Sequence, residues 1–128
     1  MPWCKVRLEL ARTHELPQGS QTRGYELVVP IDETGHLDED AWRQDKTRAK
    51  VHRFWEGEDD EHGQLIRTRG HRWAFSYAPG TEDDTPLYHL ENHMFRQGEY
   101  LSITEQDGDT LPFKIVLLAE LATLNGKK

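Results

Sequence analysis

Three residues in the stretch HLENHMF, His89, Glu91 and His93, have the types and spacing for metal chemistry. In an extended strand they project from one face, with neighbouring same-face positions roughly 6 to 7 Å apart. Two imidazoles and one carboxylate suit zinc or non-haem iron. Converging on one ion from a single strand requires either strong twist or a further ligand, for which His52, His62 and His71 are candidates from other segments. Barrels that hold iron through a His-x-His pair usually supply a Glu at short spacing and a later His. Here the pair is His-x-x-x-His, the next Glu is Glu99 beyond a turn, and no histidine follows His93. The competing reading puts the histidines and Glu91 on a solvated strand face, with Tyr88, Leu90 and Met94 turned inward. The expectation is therefore no cofactor, with zinc or iron as the alternative.

A second group of residues points to ligand binding. Trp55, Trp73 and Tyr77 are aromatic positions on strand-like segments, with Arg53 and Arg72 beside them. They line either a packed core or, in a wide barrel, a cavity for a small organic molecule. Arg48, Arg53, Arg67, Arg69 and Arg72 alternate with apolar residues. Brought to one face they form a positive patch for an acidic partner, or for the acidic run EGEDDE, Glu56 to Glu61.

Other chemistries lack their residues. The acidic run does not follow the spaced order of a calcium loop. No phosphate-binding glycine loop, zinc cysteine set or nucleophile elbow occurs, and Ser76 and Ser102 fall inside strand-like runs. Catalytic residues are not identifiable. Cys4 is the one cysteine, so an internal disulfide is excluded.

The elements that position these groups read as strands. WCKVRLEL alternates, with Cys4, Val6, Leu8 and Leu10 opposite Lys5, Arg7 and Glu9. YELVVPI suggests a strand buried on both faces after a loop through Gly24. HLDEDAWRQDKT is the one helix candidate, capped by Asp38 and anchored by Leu37 and Trp42, closing one end of the fold. In HRWAFSY, Trp73 and Phe75 share the core side with His71 and Tyr77. Asp107-Gly108 predicts a two-residue hairpin turn that sets Thr104 against Leu111, Ile103 against Pro112 and Ser102 against Phe113. Pro112 then denies a bond to any strand on its outer side, predicting an edge or a strand switch there. The run FKIVLLAEL reads as a buried strand or as a strand entering a terminal helical turn.

The fold expectation is mainly β: a small antiparallel β-barrel, or a compact β-sandwich, of about seven or eight strands with one short helix. Residues 1–128 fit a single domain. Mean hydropathy is −0.85, low for a globular chain, but four Trp, four Tyr and four Phe spread along the sequence argue for a folded core. With 16 basic and 23 acidic residues the net charge is −7, which disfavours nucleic acid. No apolar run spans a bilayer and no secretion signal opens the chain, so the expectation is no membrane partner and a cytoplasmic location. The favoured function is a non-catalytic binding or accessory module acting through protein contacts, whose partner is a protein or a small molecule. A self-associating edge near Pro112 would allow a homodimer. The alternative is a small metal-dependent enzyme or ligand-binding barrel using His89, Glu91 and His93.

Overall fold

The computed structural model describes residues 3–67, 73–76, 87–90 (backbone only), 94–104 and 109–121. Eight strands run through them: β1 (Trp3–Leu10), β2 (Ser20–Pro30), β3 (Lys50–Trp55), β4 (Glu61–Arg67), β5 (Trp73–Ser76), β6 (Leu87–Leu90), β7 (Tyr100–Thr104) and β8 (Thr110–Glu120). Each pairs antiparallel with the next, and β8 pairs with β1, closing a barrel. The barrel, not the sandwich, is the architecture.

Alternation places the core. Val6, Leu8 and Leu10 of β1 face inward, as do Tyr25, Leu27 and Val29 of β2. The barrel axis is filled by rings: Tyr25 lies 5.5 Å from Phe75 and 5.2 Å, edge-on, from Phe113. These three residues are fully buried and come from β2, β5 and β8, so they pack across the barrel rather than along one wall. Each aromatic pair adds about 0.5–1.5 kcal/mol beyond the area it buries.

Several sequence expectations change. The strand containing YELVV begins earlier, at Ser20, and buries one face; Val28 is half-buried on the outside. The run FKIVLLAEL is strand up to Glu120. Its pairing with β1 shifts between Arg7 and Leu8, so Leu118 faces Val6 while Ile115 faces Leu8. That irregularity turns two apolar residues inward three positions apart, where strict alternation allows two or four.

The β7–β8 register is one residue away from the expected one. Thr104 faces Thr110, Ile103 faces Leu111, Ser102 faces Pro112 and Leu101 faces Phe113. Directly opposed residues share a face, so this register puts buried Leu101 beside buried Phe113; the expected register would have set Phe113 against Ser102. The observed pairing keeps the apolar face buried; Asp107 and Gly108, the expected turn, lie outside the described residues. Pro112 is not a free edge. Ser102 flanks it on one side, and on the other its carbonyl accepts from the Ala11 amide at 3.0 Å, just where the β1 ladder ends.

Helix α1 (Glu39–Gln44) forms as its cap predicts: the Asp38 carboxylate accepts from the Ala41 amide at 3.1 Å. Trp42 is its anchor, 7% exposed, donating Nε1–H to the Leu65 carbonyl at 2.9 Å and meeting Trp73 edge-on at 5.3 Å. A 3-10 turn (Lys46–Arg48) follows and lays Arg48 over Trp3 at 4.7 Å. Together they cover the end of the barrel where β3 begins. Among the described residues no helix is long and apolar enough to cross a membrane.

Candidate site on the outer face of the first four strands

Strand register aligns the outward side chains of β1 to β4 into rows. One row runs Arg7, Glu26, His52, His62, each opposite the next. The row beside it, two residues along each strand, runs Lys5, Val28, Lys50, Gln64. No sequence separation predicts these neighbours; only the pairing does.

The first row is internally satisfied. Arg7 Nη1 donates to Glu26 at 2.7 Å and its Nε to Glu9 at 2.8 Å. These bonds, the one to Glu9 foremost, raise the guanidinium pKa further above its ordinary value. His52 Nε2 lies 2.8 Å from Asp60 and its Nδ1 3.8 Å from Glu26, so the ring sits between two carboxylates. His62 stacks on it, with centroids 4.5 Å apart and planes at 14°.

The second row is not satisfied. Lys5 and Lys50 are exposed and form no ion pair among the described residues, whereas Arg7, Arg23, Arg43, Arg53 and Arg67 all face carboxylates. Between the two lysines lies Val28, half-buried, with the alkyl surface of the strands around it. A cleft of about 260 Å³ opens here, bounded by Lys5, Glu26, Val28, Lys50, His52 and His62. It falls just below the roughly 300–1,000 Å³ of clefts that enclose drug-sized molecules. One side chain of a partner, or a very small ligand, is what it can seat.

The residues singled out for ligand binding separate. Arg53 is 5% exposed and faces inward, beside Tyr25 and Glu61 in register. Its guanidinium lies 4.2 Å from the Trp55 ring and pairs with Glu58 at 3.0 Å and Glu61 at 3.7 Å. The acidic hairpin thus closes over this mouth of the barrel and neutralises a buried cation, with Arg23 held to Glu56 at 3.7 Å beside it. Trp55 packs against Phe113 at 6.3 Å. Trp73 belongs to the other end, under Trp42 and with Arg67 stacked at 4.5 Å. Arg48, Arg53 and Arg67 therefore stack on three different tryptophans and make no single positive patch. Tyr77, His71, Arg69 and Arg72 lie outside the described residues.

Of the proposed metal ligands, Glu91 and His93 also lie outside the described residues. His89 falls on β6, opposite Ala74 and Thr104. Ala74 in turn faces Ile66, four residues along β4 from His62. That puts the two histidine backbones about 13 Å apart along the strands and two inter-strand steps apart across them. His52 and His62 do not join His89. Among the described residues no group of three or more His, Cys, Asp or Glu is arranged to hold a metal.

Cys4 is half-buried, and burial first, then the Glu120 carboxylate, push its thiol above the ordinary value. At neutral pH it is protonated, the wrong form for a nucleophile. Ser76 is 7% exposed within β5, whose two faces are both buried.

No protein-family model, curated protein or solved structure matches this chain.

Lys5 and Lys50, missed as site residues, did carry a signal: each sits on the polar side of an alternating run. What the sequence lacked was the register that lines them up across Val28.

Proposed function

We propose that this barrel is a non-catalytic binding module of the cytoplasm that acts through protein contacts made by the outer face of β1 to β4. The observation that carries this reading is the pair of uncommitted lysines flanking an apolar floor on a chain of net charge −7. Lys46, Arg48 and Lys114, also without an ion pair among the described residues, each lie over an aromatic ring, whereas Lys5 and Lys50 flank the cleft. Two cations left free beside an apolar cleft suit an acidic and apolar surface of another protein, because local opposite charge fixes register and a desolvated apolar contact holds it.

The test is a paired capture from extract of the source cells, using wild-type protein and the Lys5→Glu/Lys50→Glu variant at equal loading. A protein recovered in constant proportion with wild type, and lost with a variant that unfolds at an unchanged temperature, is the expected outcome. Identical recoveries on both would defeat this reading.

A further inference from the structure

The spacing of the free row specifies its occupant more closely, on the premise that the module works through protein contacts. Lys5, Val28 and Lys50 lie on three adjacent strands, so two inter-strand steps set the lysine α-carbons about 10 Å apart with Val28 midway. In an α-helix, residues i and i+7 are about 10.5 Å apart along the axis, and i+3 or i+4 lies between them on the same side. In an extended segment three successive same-face residues span about 13 Å. The helix matches the row more closely than the strand, by about 3 Å.

We infer that the cleft docks a helix of a protein partner that carries an acidic residue at i, an apolar residue at i+3 or i+4, and a second acidic residue at i+7. The helix lies across the strands. Its apolar side chain enters the 260 Å³ cleft over Val28, and its two carboxylates meet the ammonium groups of Lys5 and Lys50. The outside of a barrel is convex, so contact extends for about two helical turns, the length that i to i+7 occupies. The adjoining row, Arg7 with Glu26 and His52 with Asp60, is of mixed and already paired charge. It adds little net attraction and leaves recognition to the lysine row.

Each exposed ion pair contributes a factor of roughly 1.5 to 5 in affinity. Two of them, with the apolar contact, give an interaction that reversal of both lysines weakens by about tenfold or more. The probe is a fluorescein-labelled, alanine-rich helical peptide of roughly 16 residues, with Glu, Leu and Glu at i, i+3 and i+7, followed by anisotropy. A control peptide of identical composition carries the second Glu on the opposite face. A third peptide replaces both Glu by Lys.

The expected results are saturable binding of the first peptide to wild type, a loss of roughly 1.5- to 5-fold for the control peptide, which gives up one ion pair, and about tenfold loss for the Lys5→Glu/Lys50→Glu variant. The Lys peptide should recover binding on that variant, showing that its fold and cleft persist. Equal binding of the control peptide would overturn the inference, because charge without spacing would then suffice. Failure of every peptide to saturate would overturn it too. In that case a cellular protein still lost on lysine reversal would leave the broader reading standing, while no such protein would end both.

Discussion

Gly24→Ala should be among the most damaging small substitutions in this barrel. Gly24 faces Glu9 in the β1–β2 ladder, one step before the register jumps to Leu10 opposite Ser20. A Cβ on Gly24 would fall 1.9 Å from the Leu8 carbonyl oxygen and 3.1 Å from the Glu9 α-carbon. Carbon–oxygen contacts between strands are normally about 3.3 Å or more, so the strands must part locally by about 1.4 Å. A ladder hydrogen bond stretched by that amount no longer counts as one. Losing two costs about 2 kcal/mol, and loosening the fully buried Leu8 and Tyr25 costs about 1 kcal/mol more. Ala returns about 0.5–1 kcal/mol by restricting the unfolded chain. The net loss is about 2–2.5 kcal/mol, or roughly 7–9 °C in Tm for a chain of this length. Gly57→Ala is the matched control. Gly57 has φ 86° with no neighbour within 4 Å, so it loses only the left-handed preference, about 1–2 kcal/mol. Thermal and guanidinium unfolding of both variants decides the matter. A Gly24→Ala protein melting within about 2 °C of wild type would refute the close-approach argument.

Two further perturbations test other parts of the frame. Trp42→Phe keeps a ring against Trp73 but removes the Nε1–H donor to the Leu65 carbonyl; it should cost about 1–3 kcal/mol in urea unfolding, and a cost below about 0.5 kcal/mol would mean that α1 is not anchored there. Asp32 accepts from the Thr34 hydroxyl and from the amides of Thr34 and His36, and these bonds, the hydroxyl first, hold its carboxyl below the usual 3.8. Because the folded value is the lower one, this stabilisation is complete above about pH 4 and disappears as the pH falls through the folded value. The stability gap between wild type and Asp32→Asn should therefore stay level from neutral pH to about pH 5 and close below about pH 4; a gap that persists or widens in acid contradicts it.

What was legible in the sequence was local. The alternation in WCKVRLEL placed Val6, Leu8 and Leu10 inside, and Asp38 announced the start of α1, because both signals depend on residues within one element. Register was not legible. The β7–β8 pairing turned on how Leu101, Ile103 and Phe113 could be buried together, which a turn dipeptide cannot know. Arg53 was misleading in a different way. Polar residues on a strand are expected outside, yet Arg53 faces inward because the hairpin that follows brings Glu58 and Glu61 to it and Trp55 offers its face. The candidate site was hidden for the first of these reasons. Lys5 and Lys50 are far apart in sequence and become neighbours only across β2, so alternation could say that each points outward but not that they flank one valine.

The charge arrangement also bears on why those lysines stay available. Glu26 is the nearest acid in register to both, being two residues from Val28 on the same strand. Glu26 bounds the cleft, and an unpaired carboxylate there would neutralise one lysine. Arg7 prevents this by pairing with Glu26 at 2.7 Å, and His52, itself anchored to Asp60, stands beside it. A half-buried surface ion pair of this kind stabilises the fold by about 1 kcal/mol. Its larger consequence is positional: the pairing within one row commits the local acid and leaves the next row with two cations and an apolar floor.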